Sequence, residues 1–128
     1  ISENRKDDVV PEVENQVYSK EIFNQITKML LGVTEKGELH FARDRLPILK
    51  KYKIASKSGT AQIAVNGKYS KDATLGSVIG YAPAYKPKFI LLVKLDEAKT
   101  NQWGANTAGA VFFNIWNDLF VYYNIPPQ

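Results

Sequence analysis

The sequence predicts an α+β fold in which an antiparallel sheet portion of three strands is flanked by helices. Apolar residues recur at helical spacing after Ser19 and again after Asn106. Between them lie three β-rich runs, separated by turn signals at Asn66-Gly67 and at APAYKP, Ala82–Pro87. The connections are hairpin-like, so the strands are expected to pair antiparallel.

Residues 1–18, ISENRKDDVVPEVENQVY, are charged and hold one proline; they read as a loop with short extended pieces. Ser19 is placed to cap a helix over KEIFNQITKMLLGV, because its hydroxyl can accept an orphan N–H of the first turn. Ile22, Phe23, Ile26, Met29, Leu30 and Val33 form one stripe on that helix, and Gly32 lies near its end. TEKGELHFARDRLPILKK lacks a period, and Pro47 limits any helix there. Strands follow at Lys53–Val65, Thr74–Tyr81 and Lys88–Leu95. In the last, Phe89, Leu91, Val93 and Leu95 point one way and Ile90 and Leu92 the other, so layers should cover both faces. The final helix spans Asn106–Tyr123. Its packing face comprises Ala108, Val111, Phe112, Ile115, Trp116, Leu119, Phe120 and Tyr123. NIPPQ cannot continue it.

A chain of 128 residues suits one domain or part of one. At 45% hydrophobic and 23% charged it is neither disordered nor membrane-spanning in composition, and no apolar run approaches the length of a transmembrane helix. The net charge of +4 comes from dispersed lysines, which read as a solvated surface rather than a nucleic-acid patch. Cysteine is absent and His40 is the single histidine, so disulfides, thiolate chemistry and a His-rich metal site are excluded; no metal or cofactor is expected. The chain begins at Ile1, with no signal peptide, and is expected to be a piece of something longer. His40 reads as a loop residue without a partner, Trp103 and Trp116 as packing groups, and Asp96 and Glu97 as solvated turn residues.

One stretch does not read as packing. KSGTAQ, Lys57–Gln62, puts a cation, two hydroxyls and a bare backbone position in the middle of a strand. A strand built only to pack would carry β-branched or aromatic residues there. Ser58 and Thr60 are two apart, so they face the same side and can both donate to one carboxylate. Lys57 adds charge, and Gly59 admits a close neighbour to the backbone. Such an edge could hold an anionic, extended peptide by strand addition.

This stretch resembles the Lys-Thr/Ser-Gly motif of penicillin-binding proteins and serine β-lactamases. KSGTAQIA is similar in particular to class B peptidoglycan transpeptidases. YSKEIFNQITKMLLGV before it, LGSVIGYAPAYKPKFILLVKLDEAK after it and the last helix ending IPP fit in order, so the resemblance covers roughly residues 9–128. Ser56 stands where the family usually has glycine. The family's nucleophile motif Ser-x-x-Lys and its second motif Ser-x-Asn do not occur in a fitting context. The resemblance therefore implies that residues 1–128 are the C-terminal segment of a single transpeptidase domain of the penicillin-binding fold, without its nucleophile.

The resemblance also implies roles. Lys57 would face the second motif's serine and support proton relay. Ser58 and Thr60 would bind the carboxylate of a β-lactam or donor peptide, beside Gly59, with Gln62 further along. The Thr60 backbone N–H would form half of an oxyanion hole. The implied partners are peptidoglycan stem peptides, β-lactam antibiotics, the N-terminal remainder of the domain and other members of a cell-wall synthesis complex. The implied location is the outer face of the cell membrane. Two alternatives stay open: a D,D-carboxypeptidase or β-lactamase of the same superfamily, and a non-catalytic module that keeps the anion-holding strand. A deacylating glutamate would favour the hydrolase, and the upstream sequence would separate the module from the enzyme.

Overall fold

The computed structural model describes residues 15–65, 68–96 and 103–128. The described elements are α1 (Lys20–Glu35), α2 (His40–Asp44), a 3₁₀ helix (Pro47–Lys51), β1 (Ala55–Val65), β2 (Lys68–Ala82), β3 (Phe89–Asp96) and α3 (Ala108–Tyr122). The strands form one antiparallel sheet in the order β1-β2-β3, which makes β1 an edge. The α+β class and all three strands agree with the sequence. The Asn66-Gly67 turn and Glu97 lie outside the described residues, as does most of the N-terminal stretch.

The main core sits between α3 and one face of the sheet. Phe112, Phe113, Trp116 and Phe120 meet Val78, Ala82 and Val93, with Phe89, Leu91 and Leu95 packed against them. The Phe112 and Trp116 rings meet edge-to-face at 6.0 Å, and Tyr52 stacks on Phe120 at 4.1 Å. The buried face of α3 is rotated from the expected one. Phe113 is fully buried, whereas Val111 and Tyr123 are exposed. The cause is α2, whose Leu39 and Ala42 pack at Gly109 and extend the core around that side of the helix.

The aperiodic stretch after α1 is not a loop. His40 opens α2, its Nδ1 lies 2.6 Å from the Gly37 carbonyl oxygen and its ring meets Phe41, so it has partners after all. Pro47 starts the 3₁₀ helix, where its missing N–H would be unpaired in any case. Leu39 and Leu49 enter the core from these short elements.

Helix α1 begins as expected, with Ser19 Oγ accepting from the Ile22 N–H. Its packed face differs. Thr27, Leu31 and Thr34 are buried, with Phe23, Leu30 and Val33 partly so, while Ile22, Ile26 and Met29 are exposed. The sheet side that α1 meets offers hydroxyls, so two threonines displace the apolar pattern. Thr27 Oγ1 lies 2.7 Å from Tyr81 Oη, and Thr34 Oγ1 lies 2.6 Å from Ser56 Oγ.

That helix lies against β1, and its Phe23 and Thr27 also meet Tyr81 of β2. The expectation that both sheet faces are covered is therefore met only in part. Ile90 is 71% and Leu92 61% exposed, and Ile79 is also open.

Candidate functional site

The residues singled out in the sequence all lie on β1. Lys57 sits opposite Ile79, Ser58 opposite Val78, Gly59 opposite Ser77, Thr60 opposite Gly76 and Gln62 opposite Thr74. Pairing to β2 runs unbroken from Ala55 to Gln62 and shifts register between Gln62 and Ala64. The KSGT stretch is thus held straight, and the irregularity falls beyond it.

Entry of the chain into this strand is fixed by Ser56, the residue before the motif. It is fully buried, bonded to Thr34, and faces a glycine: a Cβ on Gly80 would lie 2.8 Å from Ser56 Cβ and 2.8 Å from Phe112 Cζ. The missing side chain at position 80 makes room for the serine hydroxymethyl group.

Three glycines shape the ground beneath Thr60. A Cβ on Gly76 would come within 2.8 Å of Gly104 Cα, and one on Gly59 within 2.8 Å of Ser77 Oγ. A Cβ on Gly104 would press on the Gly59 carbonyl oxygen and on Ser77 N. The segment leading into α3 therefore lies directly on β1 and β2. From there the Gly104 N–H donates to Thr60 Oγ1 at 3.1 Å. A hydroxyl that accepts this bond keeps its own proton to donate. The missing side chain at Gly59 makes room for Ser77 Oγ of the neighbouring strand, and the missing one at Gly104 lets this segment reach the Gly59 carbonyl oxygen.

Thr60 and Gln62, together with Thr74 and Trp103, line a hollow of about 230 Å³. Trp103 is 66% exposed, which corrects its reading as a packing group; Trp116 is fully buried and fits that reading. Asp96 is exposed and pairs with Lys94 at 3.4 Å, in agreement with a solvated turn.

The two hydroxyls do not share one partner. Ser58 Oγ donates to Glu38 Oε1, a residue of the α1–α2 connection. Lys57 Nζ donates to the same oxygen at 3.0 Å and to the Ser58 carbonyl oxygen at 2.8 Å. The Ser58 bond, then the Lys57 bond and charge, hold the Glu38 carboxyl below its ordinary value against a smaller opposing effect of burial. Sequence reasoning missed Glu38 and Gly104. Nothing local marks Glu38, because its approach to β1 is set by the fold of the connection.

Among the described residues no cluster of three His, Asp or Glu side chains is placed to hold a metal, and no helix is long and apolar enough to cross a membrane.

Residues 2–117 match the penicillin binding protein transpeptidase domain family. The chain is similar to the peptidoglycan D,D-transpeptidase FtsI of Buchnera aphidicola subsp. Baizongia pistaciae, with 33% identity over 88% of this chain and 19% of that protein. It is also 32% identical to stage V sporulation protein D of Bacillus subtilis, over 92% of this chain and 18% of that protein. The fold matches the apo transpeptidase domain of Burkholderia pseudomallei penicillin-binding protein 3 with a TM-score of 0.78 and 28% identity, over 97% of this chain and 37% of that one. The chain thus spans about a fifth of these curated relatives and little more than a third of that domain.

Proposed function

The chain belongs to the penicillin binding protein transpeptidase domain family, and from that premise we propose that residues 1–128 form the C-terminal segment of a peptidoglycan D,D-transpeptidase domain. The parent enzyme cross-links stem peptides through a serine acyl-enzyme and is acylated by β-lactams. This segment supplies the Lys57-Ser58-Gly59-Thr60 strand, and the preceding part of the same domain supplies the nucleophile. The carrying observation is the construction around Thr60: an edge-strand hydroxyl, fixed as an acceptor by the Gly104 N–H, facing a hollow beside Gln62.

In this reading the incoming substrate carboxylate accepts hydrogen bonds from the Thr60 and Ser58 hydroxyls. Lys57 faces the second motif's serine across the cleft and stabilises negative charge as the proton leaves the nucleophile. When the nucleophile's oxygen bonds to the acyl carbon, the carbonyl oxygen becomes an oxyanion, and the Thr60 N–H donates one of its two stabilising bonds. The acyl–nitrogen bond then breaks, and the leaving amine takes the proton.

The uncovered sheet face at Ile79, Ile90 and Leu92 fits a segment whose remaining domain packs there. The parent works on the outer face of the cell membrane, with stem peptides and cell-wall synthesis proteins as partners.

The test is mass spectrometry after incubation with benzylpenicillin. The complete domain should carry one penicilloyl group, and the isolated 128-residue chain none. A stoichiometric adduct on the isolated chain would place the nucleophile within it, with Ser58 the first residue to examine.

A further inference from the structure

Glu38 occupies Ser58, one of the two hydroxyls that the proposed function gives to a ligand carboxylate, and takes Lys57 beside it. One oxygen, Oε1, takes both the Lys57 ammonium at 3.0 Å and the Ser58 hydroxyl. A carboxylate on an ammonium and a hydroxyl is the same chemistry by which the strand would hold the carboxylate of a peptide.

The placement is built in by the connection that carries it. Gly37 N donates to the Gly32 carbonyl at 2.9 Å, closing α1, and a Cβ on Gly37 would lie 2.9 Å from the Val33 Cα and carbonyl oxygen. The turn is therefore too tight for another residue at that position. On the other side Leu39 is fully buried in the main core. Glu38 is delivered to β1 between these two anchors. The pair itself is open to solvent: the side chains of Lys57 and Glu38 are 55% and 51% exposed. The contact is thus fixed in place but exchangeable.

We propose that Glu38 is a specificity-determining residue: an internal carboxylate seated beside Lys57 on Ser58, from which an incoming ligand carboxylate must displace it. This rests on the reading of the strand as an anion holder. While Glu38 is seated, of the two hydroxyls that of Thr60 alone keeps its proton for a ligand, because Ser58 already donates to Glu38. Ligands bearing a carboxylate meet a like charge at this end of the strand, and ligands without one do not. Removing the charge should therefore favour the first class alone.

The experiment titrates the full 128-residue chain, uniformly ¹⁵N-labelled, with N-acetyl-D-alanyl-D-alanine and separately with its C-terminal amide. Wild type, Glu38→Gln and Glu38→Ala are compared, with the Trp116 indole and Phe112 amide resonances reporting that each variant is folded. Both variants should bind the free acid about fivefold more tightly than wild type, the size of a like-charge repulsion at about 4 Å in water. Binding of the amide should not change, and the shifts should map to Lys57–Gln62. Equal affinity for the acid in wild type and both variants would overturn the inference and leave the strand reading intact. Absence of acid binding to all three proteins, with the folded resonances in place, would overturn both.

Discussion

Thr60 is the residue on which the proposed chemistry turns, and its surroundings say how much it should matter. Its oxygen accepts from the Gly104 N–H, which leaves its own proton to donate. A hydrogen bond to a charged group contributes about 1.5–3 kcal/mol. Thr60→Val in the complete domain should slow β-lactam acylation by roughly tenfold to a hundredfold. Stopped-flow acylation rates within twofold of wild type would remove Thr60 from the site. Glu38 makes a prediction of a different kind. Its carboxyl is held below the ordinary glutamate value in the folded chain, mainly by Ser58 and then by Lys57. A depressed folded-state value means that the folded chain binds fewer protons than the unfolded one. The contribution to stability is present above the unfolded value and is lost as pH falls through the folded one. Urea midpoints of wild type and Glu38→Gln should therefore differ at pH 7 and converge as the pH falls through the folded-state value. The pair is half exposed, so the difference at neutral pH should be small.

The helices and strands differ in how far the sequence announced them. Alternation and turn chemistry located all three strands, because each pays its way by period-2 packing on a sheet. The face of α1 was not legible. Its contacts are made by Thr27 and Thr34, whose partners Tyr81 and Ser56 lie far away in the chain. No periodicity scale counts a threonine as a buried position when its partner hydroxyl arrives only through tertiary folding. The same limit hid α2 and Glu38, which depend on Leu39 and Gly37 meeting the core and the end of α1. In the site itself, Lys57 to Gln62 stood out because a cation and hydroxyls interrupt a β-rich run, whereas their carboxylate and N–H partners come from other elements. The Thr34–Ser56 bond gives the element-scale test. Both residues are buried, so Thr34→Val leaves the Ser56 hydroxyl without this partner. The expected loss is about 1–3 kcal/mol, read as a lower urea midpoint at unchanged slope. Replacing both by Thr34→Val and Ser56→Ala should recover part of it.

At the scale of the whole molecule the sheet is half dressed. The α3 face is closed by an aromatic core, and the opposite face is bare beyond the reach of α1. Leu92→Lys therefore separates two settings. In the isolated chain, with Leu92 61% exposed, it should leave the melting temperature within a few degrees and reduce self-association in analytical ultracentrifugation. In the complete domain the proposed reading has the preceding segment pack on that face, and the same lysine should then lower stability by several kcal/mol. Equal effects in both would mean that nothing covers the face. The position of β1 at the sheet edge has a consequence for isotope exchange. Every second amide of β1 points away from β2, while β2 has a strand on each side along Leu75–Tyr81. Deuterium should enter β1 in an alternating pattern, fast and slow, and enter the doubly paired part of β2 uniformly slowly. A peptide that adds itself as a further strand would abolish the fast half of that pattern, so the rhythm of exchange along Ala55–Gln62 reads out occupancy without any chemistry having to occur.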